Sequence, residues 1–491
     1  MNEGPELRAR IIAIKKGGTM SQHGDVLGPA GQKAPGSVYR VLKIFTDVKP
    51  GEAVTAFLLT LNVFLLLLAY YLIKPVREAL VISSHGPFVR SSLAAAQAIL
   101  FIFVVKGFSR LASKVPRHLL ITWVTLFFIS NLILFYLLKV WGVPTGTRAI
   151  AFFIWVGIFN IMSVAQFWSF AADIYTDEAG KRLFPMIAVG STCGAAFGSK
   201  IAGFVVKPLK THFDSGLMLM TAGVLGICIV LTIVIHNREI KKIRERASHC
   251  EANVPEEEKV KQQPLAKGGG FRLVFKSRYL LYYALLILCL NYVNYMGENI
   301  WGKVAKDTAV KAVEMHTTGG MTEAQVEAGL YADYQFLYNL IAMIVQLFLV
   351  SRIFAWLGIG GALLILPFVA LGGYGLAGGL GVSLLLVKWL KGFENGFDYS
   401  LMNTTKGALF LVTSREEKYK GKAAADTFFY RTGDALAAVT FILGWQYLHL
   451  TLGHLAQINV AVTLVWILFC FLVVREYRRI KARPATAVAS I

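Results

Sequence analysis

The sequence predicts an all-α integral membrane protein with twelve transmembrane helices in two six-helix halves. Of its 491 residues, 56% are hydrophobic and only 16% charged, a balance foreign to a soluble chain of this length. About a dozen apolar runs approach the roughly 20 residues that a bilayer core demands. A polar segment near the middle divides these runs evenly. The alternating pattern of a membrane β-barrel is absent.

Residues 1–50 form a polar tail carrying Arg8, Arg10, Lys15, Lys16, Lys33, Arg40, Lys43 and Lys49. The amino-terminal half, 51–236, is expected to hold helices at about Ala53–Ile73, Ser91–Phe108, Leu119–Trp141, Ile150–Ala172, Pro185–Val206 and Gly216–His236. Pro75 is expected to break or kink the chain as the first helix ends. The segment 237–278 reads as a linker. It contains Arg238, Lys241, Lys242, Arg244 and Arg246, then Glu256, Glu257 and Glu258, then Pro264 and three glycines. The carboxy-terminal half, 279–474, is expected to hold helices at about Tyr279–Trp301, Tyr331–Phe354, Ile359–Ala377, Leu380–Lys406, Lys422–Leu448 and Gln457–Val474. A polar loop is expected over about 302–329. Residues 475–491 form a second basic tail.

The net charge of +21 has a plain cause. Cytoplasmic loops of membrane proteins collect Lys and Arg, which puts both termini and the linker in the cytoplasm, with a bacterial inner membrane as the expected site. No nucleic-acid motif accompanies the charge, so no nucleic-acid partner is expected. Cys193, Cys228, Cys289 and Cys470 lie in apolar runs and Cys250 in a polar one, without metal-ligand or disulfide spacing. The histidines are scattered and no nucleophile–base pattern is present. The reading is therefore of a non-enzyme with no catalytic residue, no metal and no cofactor, working as a monomer in the lipid bilayer.

Ionisable residues within apolar runs are costly and usually functional. Lys74, Arg77 and Glu78 follow the first helix, and the apolar sequence resumes at once after them. They read either as an external loop or as cavity groups; Arg77 is favoured for the cavity because a guanidinium fork suits phosphate or carboxylate. In the seventh helix Asn291, Asn294 and Glu298 recur at spacings of three and four, on one face, with Lys303 beyond. They read as a cavity stripe, or as a helix end with Trp301 at the membrane interface. Lys388, Lys391, Glu394, Asn395 and Asp398 mark the tenth helix, where charge pairs are expected. The stretch from Arg415 to Ala437 is the densest: Lys420 and Lys422 stand at a helix start, where anions are favoured, followed by Asp426, Arg431 and Asp434. A weaker echo, with Asp173, Lys181 and Arg182, links the fourth and fifth helices. Gly190, Gly194 and Gly198 form a small-residue stripe for close helix packing. The nearby GAAFGSK lacks the order of a phosphate-binding loop.

Six helices, a linker and six helices is the layout of the major facilitator fold, whose halves meet at a midplane site. Four segments also resemble one family. FWSFAADIYTDEAGKRLFP, KGKAAAD (Lys420 to Asp426), NYMGENIWGKVAK and KPVREALVIS are similar to signatures of the ATP:ADP antiporters, the nucleotide transporters of plastids and intracellular bacteria, distinct from the mitochondrial carriers. The resemblance spans about residues 50–475. It implies nucleotide exchange, with ATP and ADP as substrates, through a major-facilitator-like fold. The family's important charges carry over to Arg77, Glu298 and Lys420 or Lys422. One departure is Val156, where well-studied members have a Glu.

The expected substrate groups are Lys74, Arg77, Asn294, Glu298, Lys420, Lys422, Asp426 and Arg431. Asp173, Lys181, Arg182, Lys303 and Asp434 are expected as gates or charge pairs. The alternatives are a proton-coupled importer of nucleotides or another organic anion, and a membrane scaffold or regulator that no longer transports.

Overall fold

The computed structural model describes residues 52–86, 117–175, 177–209, 212–249, 270–413, 417 and 421–482, with scattered positions between 89 and 104. The basic tail, most of the second expected helix, Lys420, and the linker from 250 to 269 lie outside the described residues. Among the described residues there are helices and no strands.

Helix α1 (Ala53–His85) is followed by α2 (Arg117–Val140), α3 (Thr145–Ile174), α4 (Asp177–Leu209) and α5 (Phe213–His249). After a short α6 (Gly270–Lys276) come α7 (Arg278–Glu314), α8 (Glu323–Ile344) and α9 (Val350–Leu380). Then follow α10 (Leu384–Phe397), α11 (Asn403–Leu409), the single turn α12 (Lys422–Ala424), α13 (Tyr430–Ile442) and α14 (Leu452–Lys481). Among the described residues eight helices are long and apolar enough to cross a membrane. One of these, Glu323–Leu380, is broken by a sharp kink at Gly358 (φ 64, ψ −177), where two helices meet. The positive φ needed there suits a glycine.

Two expectations are corrected. Pro75 does not end the first helix: α1 continues to His85 with Pro75 buried inside it. A membrane proline is tolerated where packed neighbours hold the helix on both sides. The polar loop over 302–329 is largely helical, since α7 runs to Glu314 and α8 starts at Glu323 behind a Thr322–Gln325 capping box. Only the turn between them, with His316, Gly319 and Gly320 at positive φ, interrupts the chain. Of the two readings of the seventh helix, the one with Trp301 facing the membrane interface does not fit, because Trp301 is fully buried. It packs on Tyr331 and Tyr334, with ring centroids 5.9 and 4.7 Å away.

The tenth and eleventh expected spans are helical but interrupted by π turns at Asp398–Met402, Ala425–Phe429 and Leu443–Tyr447. Such insertions rotate the side chains beyond them and recur at functional sites.

Two sets of helices result. In the first, α1 is central and packs on α3, α4 and α5; in the second, α7 is central and packs on α10, α13 and α14. Helix α8 touches both, lying against α4 and α1 as well as α7 and α10. The α1–α4 seam is close because Gly190, Gly194 and Gly198 face Thr60, Phe64 and Leu68. A Cβ on Gly194 would sit 2.1 Å from the Phe64 carbonyl oxygen. No flexible side-chain tip is available there to move away.

Gly194→Ala should therefore lose about 1–3 kcal/mol of stability, the usual range for overpacking. Thermal unfolding of the detergent-solubilised protein will read this as a lowered midpoint; an unchanged midpoint would contradict the seam.

Candidate functional site

The two sets enclose a cavity of about 210 Å³. Its charged and polar groups come from both. Helix α1 supplies Lys74, Arg77 and Glu78, the short stretch after it supplies Arg90, and α7 supplies Asn291, Asn294 and Glu298. Helix α13 adds Arg431 and Asp434. The continuation of α1 past Pro75 is what carries Arg77 and Glu78 to the cavity wall.

Glu78 is the anionic centre on the first side. It pairs with Arg77 and with Arg90, whose Nε donates to its carboxylate. The Arg77 guanidinium lies over the Phe153 ring of α3 at 4.7 Å. Lys74 donates to the Tyr338 hydroxyl at 2.6 Å and sits within 5.7 Å of three tyrosine rings, those of Tyr70, Tyr71 and Tyr338. A cation held against aromatic faces is stabilised by their quadrupoles while its charge is kept from neutralising carboxylates.

Glu298 is the anionic centre on the second side. It accepts from the Tyr334 hydroxyl at 2.6 Å and from Asn395 Nδ2 at 2.9 Å. It also stands 3.9 Å from Lys391 and 3.7 Å from Arg90. Arg90 belongs to the first set and Lys391 to the second, so one carboxylate answers to both. Lys391 is fully buried behind the cavity wall. It bonds Asn294 at 2.9 Å and Glu394 at 3.1 Å, and Tyr374 donates to the same Glu394 oxygen at 2.7 Å. A buried ammonium is tolerated only with such a shell.

Several donors in this region have no partner among the described residues: Arg77 Nε, Arg90 Nη1 and the Tyr331 hydroxyl. Two arginines with unspent N–H groups beside a polar cavity can bind a multiply charged oxyanion, which accepts many hydrogen bonds at once. The wall is otherwise rich in tyrosine. Tyr331, Tyr334 and Tyr338 recur at spacings of three and four on α8, and Tyr399 and Tyr430 are partly exposed.

The residues singled out from the sequence separate into groups. Lys74, Arg77, Asn294, Glu298, Arg431 and Asp434 line the cavity, the last two as a pair at 3.2 Å. Lys422 and Asp426 do not line it. They pair with each other, and Tyr283 donates to Asp426 at 2.8 Å, towards the linker end of α7. Arg182 pairs with Glu52 at 3.1 Å at the linker end of the first set. Lys303 pairs with Asp307 and lies over the Trp445 ring. Asp173 is exposed at the end of α3. The side chain of Lys181, like all of Lys420, lies outside the described residues. Val156 is fully buried among apolar neighbours and does not line the cavity.

Arg90 and the tyrosine wall were not singled out. The three-and-four spacing of Tyr331, Tyr334 and Tyr338 was a visible signal. Arg90 had none, since in the sequence it stands between Gly86-Pro87 and an apolar run.

Comparison with known proteins agrees with the motif resemblance. Residues 150–359 match the family model described as TLC ATP/ADP transporter, a stretch that holds the DEAGKR and helix-seven signatures and ends before KGKAAAD. The ADP,ATP carrier protein 4 of Rickettsia bellii is 23% identical over 345 residues, 64% of this chain and 62% of that protein. The ADP,ATP carrier protein 2 of Chlamydia trachomatis is 24% identical over 339 residues, 63% of this chain and 60% of that protein. The chain thus spans about three fifths of these relatives. A weaker but longer match, 21% over 464 residues, takes in 84% of the ADP,ATP carrier protein 1 of Chlamydia muridarum.

Among solved structures, a bacterial homologue of the human lysosomal transporter Spinster, inward-facing and unoccupied, superposes with a TM-score of 0.56 at 14% identity. It covers 89% of this chain and 100% of its own. The nucleoside transporter NupG gives 0.56 at 12% identity, covering 85% and 99%. The fold is of the major-facilitator type, in an integral multi-pass membrane protein.

The Lys391 shell makes a direct prediction. Lys391→Met leaves Glu394 without its buried counter-charge and Glu298 with Arg90 alone, and should cost about 3–5 kcal/mol, the range for breaking a buried pair. Adding Glu394→Gln should restore part of that loss. Thermal unfolding of the single and double variants tests it, and equal midpoints for wild type and Lys391→Met would refute the pairing.

Proposed function

We propose that this protein is a nucleotide transporter that exchanges ATP and ADP by alternating access. The observation that carries the reading is the cavity itself. Lys74, Arg77, Arg90 and Arg431 meet there between two helical sets of a transporter fold. The family match over 150–359 supports a nucleotide as the substrate.

In the empty site the bases are held by Glu78, Glu298, Asp434 and the tyrosines. A phosphate chain offers Arg77 and Arg90 more acceptors than Glu78 alone. Its arrival loosens Arg90 from Glu298, and Lys391 then retains Glu298. Loading would in this way release one inter-set contact, which lets substrate occupancy govern the rocking of one half against the other. The tyrosine wall gives the base and ribose flat, amphipathic surfaces. We read Lys422 and Asp426 as groups at the cavity mouth rather than at its floor.

We read residues 51–236 and 279–474 as the two halves and 237–278 as their cytoplasmic linker. Both termini are cytoplasmic in a bacterial inner membrane, since Arg475, Arg478, Arg479 and Lys481 end α14. At the end of α1 the sets are bridged: Lys306 Nζ donates to the Ile82 carbonyl at 3.1 Å, and Gln325 Nε2 to the Val206 carbonyl at 3.5 Å. In this orientation the bridged end is the outer one. The protein acts as a transporter and not as an enzyme, and a monomer suffices, because both halves lie on one chain.

The test is uptake of labelled ATP into proteoliposomes with and without internal ADP. Exchange predicts uptake that requires internal nucleotide. Uptake driven only by a pH gradient would make the protein a proton-coupled importer, and no nucleotide uptake or binding would refute the proposal. Arg77→Ala should raise the KM for ATP about tenfold to a hundredfold, the value of a charge-assisted hydrogen bond. Lys422→Ala, at the mouth, should change it less.

A further inference from the structure

Helix α8 carries a polar stripe that the cavity does not exhaust. Glu323, Glu327, Tyr331, Gln335 and Asn339 recur every four residues, so neighbours in the series stack one above the other and the stripe winds slowly round the helix. Tyr331 and Gln335 line the cavity, and Asn339 donates to Ser199 of α4 at 3.5 Å. Glu327 lies one turn beyond the cavity, towards the bridged end and before the apolar run that begins at Tyr331. It is fully buried. Neither of its carboxylate oxygens has a hydrogen-bond partner among the described residues.

No charged group pairs with Glu327 among the described residues. Glu323 on its own helix opposes its charge and Lys306 on α7 favours it, but the Lys306 ammonium donates to the Ile82 carbonyl of α1 and forms no ion pair with Glu327. On α7, Lys303 is taken by Asp307. Lys207 of α4 is exposed, and α4 meets this turn through the Val206 carbonyl, which accepts from Gln325. His85 of α1 lies against Gly146 of α3. Lys388 of α10 faces Asp333, at 3.8 Å, on another side of α8. Beyond Tyr331 stand Arg90, Glu78 and Glu298, already engaged with one another. An ionised carboxylate buried without a hydrogen bond or counter-charge costs far more than a neutral carboxyl in the same place.

We propose that Glu327 is a proton-binding site, occupied while the bridged end is closed and emptied when that end opens. Opening parts Gln325 from Val206 and Lys306 from Ile82, and so admits water to the turn that holds Glu327. The carboxyl O–H then breaks, the proton passes to water, and the carboxylate is left hydrated beside a freed Lys306. Closure requires the reverse. One proton is thus linked to one conformational step, and the closed-to-open ratio falls by up to about tenfold per pH unit over the range in which Glu327 titrates. The inference rests on the alternating-access reading above and makes its outer-end step pH-dependent without carrying a proton across, since Glu327 loses and regains its proton at the same end.

The test uses the full chain in nanodiscs, with its native cysteines replaced and spin labels on Lys207→Cys and Met315→Cys, one on each side of the bridged end. Raising the pH should shift the distance distribution of the otherwise wild-type protein towards the longer, open population. Glu327→Gln, neutral at every pH, should stay closed throughout. Infrared difference spectra should show a protonated-carboxyl C=O band in the closed state that Glu327→Gln lacks; this reading holds even if the label pair perturbs the end. A pH response that persists in Glu327→Gln, or none in the wild type, overturns the proposal. Adding ADP separates the two readings: distances that respond to pH but never to nucleotide would sink the nucleotide assignment and leave the proton site standing.

Discussion

A single carboxylate, Glu298, is held from both sides of the molecule. Lys391, Asn395 and Tyr334 secure it within the second helical set, and Arg90 reaches it from the first. Charges this deep are stable only when paired and hydrogen-bonded, so the groups around Glu298 are constrained in turn. Arg90 must share Glu78 with Arg77, and Lys391 must keep Glu394. The cavity is therefore one connected electrostatic system, in which no base is free to relax alone. An anion entering it competes with carboxylates that are already in place.

The packing serves that system. The glycine seam brings α1 against α4 backbone to backbone, which fixes the face of α1 bearing Lys74, Arg77 and Glu78. Helix α8 lies against both sets and turns its tyrosines and its polar stripe to the interface. The π turns in the later helices each add a residue to a turn and re-aim the side chains beyond it. Arg431 and Asp434 thereby enter the cavity while Lys422 and Asp426 stay outside.

The legible parts of the site were those with local periodicity. Asn291, Asn294 and Glu298 share a face by spacing alone, and they line the cavity together. The charges of KPVREALVIS stood out because they interrupt apolar sequence. Arg90 did not, because its meaning lies in a partner 208 positions away, at Glu298. Pro75 misled for a related reason. Local rules make it a helix end, whereas packed neighbours on every side keep α1 intact. The capped start of α8 was equally hidden, since its polar first turns look like loop until tertiary contacts bury Gln325 and Glu327.

By itself the sequence determined the solvent of this protein. Long apolar runs, sparse charge and basic ends commit it to helices in a bilayer, and intramembrane charges marked the helices that matter. The tertiary structure decided which charges meet. Pairing energies fall off within a few ångströms, and distances of that order between α1, α7, α8, α10 and α13 are set by packing, not by spacing along the chain.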